Sequence, residues 1–263
     1  MEPFSQTVII GSMFYEGDDL ILDSTGGVID EDKATERIDK ARTLSKEYSV
    51  PFILDLEILS STLASKIIGM AGKYKDVSFW ISSFTKEMRY EACKIAFKKG
   101  LGDRIYYSTL NYMSDEEEFN SVADLGVRPV IQIFNPNNPY LEGYLLKAEE
   151  LLNLAEKSGI RIENSILLPT VLDFGSIPIA LSTIPLLKEK YQLPVCVPSI
   201  GPVYKWAGKY SQNTRRLLVA STITYTLSAH VDLIHIGTVK RSFIAFPVVS
   251  LVNQFEKIGK RFK

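Results

Sequence analysis

Cysteine and histidine are scarce in this chain, and their scarcity removes several classes of function. The 263 residues include two cysteines, Cys93 and Cys196, and two histidines, His230 and His235. Two cysteines cannot form a disulfide framework, and so few histidine and cysteine ligands offer little from which to build a zinc site. We therefore predict no metal site in this chain, and we expect both cysteines to pack as small buried hydrophobic side chains.

The chain also lacks an excess of charge and a long apolar run. Thirty Lys and Arg residues nearly balance 31 Asp and Glu residues, so bulk charge favours neither nucleic-acid nor membrane-surface binding. No stretch approaches the ~18 uninterrupted apolar residues of a membrane-spanning helix, and no targeting signal is evident. These features predict a cytoplasmic protein that does not bind nucleic acid or insert into a membrane.

Short apolar, β-branched runs recur eight times along the chain, and each is followed by a longer amphipathic stretch. After the fifth run, for example, Leu145, Ala148, Leu151, Leu152 and Ala155 follow the spacing of a helix face. Runs of this kind are typical of strands buried on both faces. The eight predicted strands are Thr7–Ser12, Pro51–Glu57, Val77–Ser83, Asp103–Leu110, Arg128–Phe134, Ser165–Thr170, Pro194–Ser199 and Val231–Gly237.

Eight such units in about 250 residues predict an α/β fold of the (β/α)8 TIM-barrel type. We expect residues 1–263 to form a single barrel domain. A doubly wound open sheet would alternate in the same way, but it usually has fewer strands and often a glycine-rich phosphate turn after the first. The segment Gly11–Tyr15 is not such a turn. The barrel is therefore the favoured fold.

In barrels of this kind, functional residues lie where the strands end and in the loops that follow. Asp55 and Glu57 are two residues apart on one strand and could form an acid/base pair, although pairing with Lys or Arg at the rim is the simpler interpretation. His235 points into the mouth or towards the helices, depending on strand register. Ser82, Ser108 and His235 could converge, but their spacing does not single out a serine triad.

Basic residues follow the last strand directly. Lys240 and Arg241 come after Ile236-Gly237-Thr238, in the region where barrels often bind phosphate. Lys209, Arg215 and Arg216 follow the seventh predicted strand, but exposure on a solvated helix face explains these basic residues as well as a binding role does. The sequence thus raises the hypothesis of an anionic ligand or an acidic protein partner at this part of the rim.

Four segments resemble one family over nearly the whole chain. They are Thr7–Tyr15, Gly100–Arg104 leading to Tyr107, Phe134-Asn135-Pro136 with Pro139 and Gly143, and Ala245–Val249. In order and spacing they resemble the H-subunit family of tetrahydromethanopterin S-methyltransferase, which is related to methyltetrahydrofolate:corrinoid protein methyltransferases.

The resemblance implies a barrel, commonly a homodimer, that binds a methylated tetrahydropterin of the tetrahydromethanopterin or tetrahydrofolate type. It further implies that the N5-methyl group passes to a corrinoid carried by a partner protein. Because Co(I) is already a strong nucleophile, such an enzyme mainly positions the reactants and helps N5 gain positive character.

The residues that hold the pterin in this family differ here. Ser82 stands where the family has an Asp, and Ser108 follows Tyr107 where the family has Asn, with Asn111 retained further on. An expected Asp falls at Pro169, and an expected Asn falls at Gly201. The acidic and amide pair after the last strand is replaced by Lys240-Arg241. The resemblance therefore predicts an inherited fold with a diverged donor pocket.

Three interpretations remain open: a methyltransferase with a rearranged pocket, a catalytically silent paralogue that serves as a subunit or scaffold for a corrinoid protein, and a barrel that binds another, anionic ligand through Lys240 and Arg241 with Ser82 and Ser108. The catalytic candidates are Asn111, Asp173 and Ser199. The full set of ligand-binding candidates is Asp55, Ser82, Ser108, Asn111, Asn135, Thr170, Asp173, Ser199, Gly201, Lys240 and Arg241.

Overall fold

A computed structural model describes residue 4 and residues 6–259, so positions 1–3, 5 and 260–263 of the predicted domain lie outside the described residues. Each of the eight predicted runs contains a strand of the barrel. The strands are, in chain order, β1 (Val8–Met13), β2 (Ile21–Asp23), β3 (Val28–Ile29), β4 (Phe52–Glu57), β5 (Ser78–Ser82), β6 (Ile105–Leu110), β7 (Arg128–Ile133), β8 (Ile166–Pro169), β9 (Cys196–Val197) and β10 (Leu233–Thr238).

The barrel strands are parallel, and their neighbours in space follow the chain. The order is β8-β7-β6-β5-β4-β1-β10-β9, so the first strand lies between the second and the last strands of the barrel. An isolated bridge between Leu167 of β8 and Val195, the residue before β9, completes the ring. The Leu167 amide donates to the Pro194 carbonyl at 2.9 Å across this seam. The predicted (β/α)8 fold is confirmed.

Helices connect the strands and cover the outside of the barrel. Asp30 and Asp115 cap α1 and α4, accepting from the amides of Lys33 and Glu118, as expected for carboxylates at helix starts. The helices are α1 (Glu31–Tyr48), α2 (Ser61–Ala71), α3 (Lys86–Lys98), α4 (Glu116–Leu125), α5 (Leu141–Lys157), α6 (Ser176–Tyr191), α7 (Ile200–Trp206), α8 (Gln212–Leu227) and α9 (Ser242–Gly259).

The barrel interior has its own core, separate from the layer between strands and helices. Its buried side chains alternate along each strand, as the period of two requires. They are Val8, Ile10, Ile53, Trp80, Tyr106, Val130, Ile166, Leu168, Cys196 and Leu233. Continuing the same alternation towards the carboxyl ends places Ser12, Asp55, Ser82, Ser108 and His235 on the inner face. The mouth of the barrel therefore lies directly above this apolar interior core.

Two features differ from the sequence-based prediction. A two-stranded antiparallel hairpin of β2 and β3 follows the first barrel strand and was not predicted. The seventh barrel strand, expected over Pro194–Ser199, is reduced to Cys196–Val197, because prolines at 194 and 198 flank it and supply no amide donor. Cys93 and Cys196 are both fully buried, as expected.

Candidate active site

A buried carboxylate lies at the centre of the mouth. Asp55, near the end of β4, is 6% exposed and accepts hydrogen bonds from side chains of three other strands. The Ser12 hydroxyl donates to Oδ2 at 2.7 Å and the Ser82 hydroxyl donates to Oδ1 at 2.5 Å. His235 Nε2 lies 3.2 Å from Oδ2 and 3.3 Å from the Ser12 hydroxyl. We call these four residues the floor network.

The backbone of β10 fixes the protonation pattern of His235. The Gly237 amide donates to Nδ1 at 3.1 Å, so the ring proton resides on Nε2 and points at Asp55. Burial by itself raises the pKa of the Asp55 carboxyl, but the hydrogen bonds from His235, Ser82 and Ser12 outweigh it and hold that pKa below its ordinary value. Asp55 is thus an ionised group held by hydrogen bonds from three side chains. The Lys or Arg partner that the sequence suggested is replaced by His235.

A second carboxylate, Glu57, stands one step further out on the same strand face. Its side chain is partly buried. Burial, followed by the negative charge of Asp55, raises the pKa of Glu57 to about 7, against a smaller opposing effect of His235. Two carboxylates on one strand therefore differ in protonation: Asp55 is ionised, and Glu57 exchanges a proton near neutral pH.

The opposite wall of the mouth carries hydroxyl and amide groups. Ser108 on β6 is buried, and it pairs in register with Ser82. The Thr109 hydroxyl donates to Gln132 Oε1 at 3.1 Å. Thr170, directly after β8, is 4% exposed, and its hydroxyl has no hydrogen-bond partner within the described part of the chain. This wall therefore offers polar groups that a ligand could engage.

Several predicted residues make local contacts. Asn111 accepts from the Met113 amide at 2.8 Å and its Nδ2 donates to the Thr109 hydroxyl at 3.4 Å, whereas Asn135 accepts from the Asn137 amide at 3.0 Å. Exposed Asp173 accepts from the Ser176 amide at 2.8 Å, at the start of α6. Ser199 is completely buried and shares a 2.6 Å hydrogen bond with Thr226. These side chains shape the loops, and Asp55, Ser82, Ser108 and Thr170 are the predicted residues brought together in the mouth.

The remaining three predicted residues occupy the loops after β9 and β10. Gly201 is exposed in the first turn of α7, and a β-carbon there would meet no atom within 4 Å. Lys240 forms ion pairs with Asp18 and Asp19 of the loop after β1. Arg241 donates to the Ile236 carbonyl at 2.8 Å and lies over the Tyr204 ring. The two neighbouring basic residues therefore have different surroundings.

Large apolar side chains project from the loops around the mouth. Because the carboxyl ends of parallel barrel strands face one side, these loops form a common rim. Phe84 is 71% and Met113 is 77% exposed, and Phe174 stacks on Trp206 with ring centres 5.2 Å apart. The exposed rim consists of Phe84, Tyr112, Met113, Tyr140, Leu172, Phe174, Trp206 and Tyr210.

Neither a metal cluster nor a membrane-spanning helix is found in the described residues. No group of three or more His, Cys, Asp and Glu side chains in positions 4 and 6–259 is arranged to hold a metal ion. No helix within the same residues combines the length and apolar character needed to cross a bilayer.

The family model of the tetrahydromethanopterin S-methyltransferase MtrH subunit matches residues 4–261. The chain belongs to this family. The H subunit of the Methanothermobacter marburgensis enzyme is 26% identical over 263 residues, covering 95% of this chain and 84% of the relative. A Methanosarcina barkeri protein, described as the H subunit of a putative methyltransferase mtx, is 23% identical and covers 93% of this chain and 83% of its own length.

Solved structures with the same fold include dihydropteroate synthases. The enzyme of Vibrio fischeri superposes with a TM-score of 0.69 at 14% identity, covering 97% of this chain and 94% of that one. The Yersinia pestis enzyme with a pterine-sulfa conjugate gives 0.67 at 12% identity and covers 95% of each chain. At this identity the likeness supports the barrel fold of this MtrH family member and nothing further.

Two of the four residues of the floor network, Asp55 and Ser82, are among the predicted ligand-binding residues. Ser12 was not selected, and Glu57 and His235 were considered as possible acid/base or triad partners but were not chosen as site residues. A usable signal was present in the alternation Ile53, Asp55, Glu57 and Leu233, His235, which places the polar residues on the same face as buried apolar ones. Within this MtrH family member, Ser82 stands where the resemblance places an Asp, and it contacts Asp55 from the adjacent strand.

Proposed function

We propose that this protein transfers a methyl group from N5 of a tetrahydropterin-type carrier to a reduced corrinoid held by a partner protein. The observation that carries the proposal is Glu57, a carboxyl group with a pKa near 7 above the ionised Asp55. When the methyl group leaves N5 of the carrier, this amine nitrogen needs a proton. A carboxyl group that gives up its proton near neutral pH, inside the mouth of a methyltransferase-family barrel, can supply it.

The polar groups of the mouth fit a pterin. A pterin ring presents adjacent hydrogen-bond donors and acceptors along one edge, which suit a carboxylate, an amide and hydroxyls. Asp55, Gln132 and Ser108 supply these chemical types. The Thr170 hydroxyl, which has no hydrogen-bond partner at positions 4 or 6–259, supplies another. These groups differ from the Asp and Asn positions that the family resemblance implies. The proposal therefore includes a diverged donor pocket.

The residues of this chain have two tasks in the reaction. The floor network and the opposite wall orient the pterin, and the protonated carboxyl of Glu57 donates its proton to N5. The corrinoid supplies the electron pair for the new bond to the methyl carbon. As the N5–CH3 bond breaks, its electron pair stays on N5, which has received the proton, and Glu57 is left as the carboxylate.

The exposed rim supports a partner that brings the acceptor to the mouth. Solvated aromatic and aliphatic side chains on consecutive loops are unfavourable in isolation and are typical of interaction surfaces. A homodimer, which the family resemblance implies, belongs to the same proposal, and size measurement by light scattering tests it.

The proposal is tested by methyl transfer from 5-methyltetrahydrofolate or its methanopterin counterpart to free cob(I)alamin, followed by absorbance. The rate is expected to fall as pH rises through about 7, because Glu57 loses its proton in that range. Glu57→Gln should lower the rate about 10²-fold or more at pH 6 and remove this pH dependence.

Glu47→Gln is the matched control, since Glu47 is exposed in the last turn of α1, which leads into the start of β4 at the end of the barrel opposite the mouth. It should leave both the rate and its pH dependence unchanged. If the parent protein transfers the methyl group and the Glu57→Gln variant does so at the same rate, the proposed role of Glu57 is wrong. Absence of both transfer and carrier binding, measured by thermal shift at millimolar carrier, contradicts the proposed function itself.

A further inference from the structure

A second cavity opens on the outer side of the last barrel strand, apart from the floor network. It measures about 370 Å³ and lies between the turn after β10 and the helices α7, α8 and α9. Three arginines line it, namely Arg215, Arg216 and Arg241, together with aromatic rings that include Tyr204 and Phe243. The cavity is within the size range of small-molecule sites.

Two of these arginines are gathered around one ring. The guanidinium carbon of Arg241 lies 4.3 Å from the centre of the Tyr204 ring, and that of Arg215 lies 5.8 Å from it. Arg216 lies 5.2 Å from the centre of the Phe243 ring. Cation–π contacts of this kind hold a guanidinium group in place without neutralising its charge.

The positive charge of the cavity is not compensated by protein. No carboxylate lines it, and none of the three arginines forms an ion pair with any residue at positions 4 or 6–259. Lys240 differs, because Asp18 and Asp19 neutralise it. Burial lowers the pKa of Arg241, and Arg215 Nε is buried without a hydrogen-bond partner within the described chain.

Uncompensated, partly buried guanidinium groups are unfavourable in the free protein and become favourable when an anion enters. Their planar donors match the oxygens of a phosphate or a carboxylate in paired hydrogen bonds. The cavity also lies beside the loops after the last two barrel strands, where barrels frequently hold phosphate. The uncompensated arginines and the position of the cavity thus both indicate an anion-binding site.

We propose that this cavity is a binding site for a small molecule bearing a phosphate or carboxylate group, held by Arg241 and Arg215 against Tyr204. The site itself does not depend on the proposed methyl transfer, whereas its assignment to the tail of the methyl carrier rests on the proposed function. Its anion comes either from a free metabolite or from the acidic tail of the methyl carrier. The second source agrees with the position of the cavity, because Tyr15, two residues after the strand of Ser12, and Thr238, the last residue of the strand of His235, also line it.

The site is tested by calorimetric titration of the full chain with inorganic phosphate and with pyrophosphate at low ionic strength. Arg241→Gln and Arg215→Gln are each expected to weaken anion binding at least tenfold, and Arg241→Lys, which restores the charge, should recover part of the loss. The matched control is Arg161→Gln, because Arg161 is exposed before β8 at the opposite end of the barrel. It removes the same charge and should leave binding unchanged.

Competition separates the two sources of the anion. If phosphate competes with 5-methyltetrahydrofolate but not with the same methylated pterin lacking its glutamate, the anion that the cavity binds is the tail of the carrier. Phosphate that binds without competing identifies a free anion. Absence of binding to the parent protein, or equal weakening by Arg161→Gln, overturns the site. These titrations need no methyl transfer, so loss of the proposed function and loss of the anion site give different results.

Discussion

At the scale of single residues, the floor network shows how a charge is kept inside an apolar barrel. Asp55 sits just above the buried Trp80 and Ile53 side chains, where an isolated carboxylate would be strongly disfavoured. Its oxygens accept from two hydroxyls and one imidazole, each donated by a different strand. Hydrogen bonds to a charged acceptor contribute more than neutral ones, so the network both stabilises the fold and fixes the centre of the mouth.

Replacing Asp55 by Asn should therefore destabilise the protein by about 2–3 kcal/mol at pH 7, because strong hydrogen bonds to a carboxylate are lost. The folded-state pKa of Asp55 is lowered, so its contribution to the free energy of unfolding is present above the ordinary carboxyl pKa. That contribution is lost as pH falls through the folded-state pKa. Urea unfolding at pH 7 and in acid measures the difference, which should shrink in acid.

Asp39→Asn provides the control for this experiment, since Asp39 is exposed and, among positions 4 and 6–259, its carboxylate pairs with Arg42 alone, at 3.2 Å. It should change the free energy of unfolding by less than about 1 kcal/mol. An Asp55→Asn variant as stable as its parent at pH 7 would show that the floor network contributes no net stability.

At the scale of elements, the loop between β7 and α5 depends on one small residue. A β-carbon at Gly143, in the first turn of α5, would lie 1.8 Å from the carbonyl oxygen of Asn138. The backbone of the loop thus presses against the helix, which permits Tyr144 to reach the Thr170 carbonyl at 2.6 Å. Close packing here links the loops that follow β7 and β8.

Gly143→Ala should cost about 1–3 kcal/mol, because the loop or the helix must shift to remove the overlap. Thermal unfolding followed by circular dichroism measures this loss. Gly69→Ala is the matched control, since Gly69 is also helical, in α2, and its β-carbon would make only an ordinary contact, 3.6 Å from Lys99 Nζ. The control should be neutral or stabilising by about 1 kcal/mol through helix propensity, and equal loss in both variants would contradict the overlap.

Regular elements were predictable from sequence where their patterns were long enough. The helix carrying Ala148, Leu151, Leu152 and Ala155 is present as α5 with those side chains buried. The hairpin of β2 and β3 was not predictable, because strands of three and two residues contain no measurable alternation. The shortening of β9 depends on Pro198 as well as Pro194, and the sequence prediction took account of only the first.

At the scale of the whole molecule, the barrel closes unevenly. β1 forms five registered pairs with β4, whereas β8 meets β9 through one bridge. Closure at this point relies on side-chain packing more than on backbone hydrogen bonds. The seam between β8 and β9 is therefore the place where the ring is most easily opened.

Amide hydrogen exchange should reveal this unevenness. Peptides covering β8 and β9 are expected to exchange at least about tenfold faster than those covering β1 and β4, because fewer backbone hydrogen bonds protect them. Mass spectrometry of exchange at pH 7 provides the measurement, with β1 as the internal reference. Equal protection of the β8–β9 seam and of the β1–β4 pair would contradict this view of closure.

The site was harder to predict than the fold for a physical reason. Asp55 and Ser82 could be chosen from strand ends alone, but their contact with each other requires the register of β4 and β5. The contact between Asp55 and His235 joins positions 180 residues apart, and it exists only because the ring places β1 between β4 and β10. Arg215 likewise resembled a solvated helix residue until α8 was placed beside the turn after β10.

Glu57 has a consequence for any calorimetric study of this protein. With a pKa of about 7, its carboxyl group is close to half protonated at neutral pH. A ligand that covers it expels solvent and favours the uncharged form, so complex formation takes up protons at neutral pH. The heat of association then includes the ionisation enthalpy of the buffer, and titrations in two buffers that differ in this enthalpy, such as PIPES and Tris, will differ in proportion to the protons taken up.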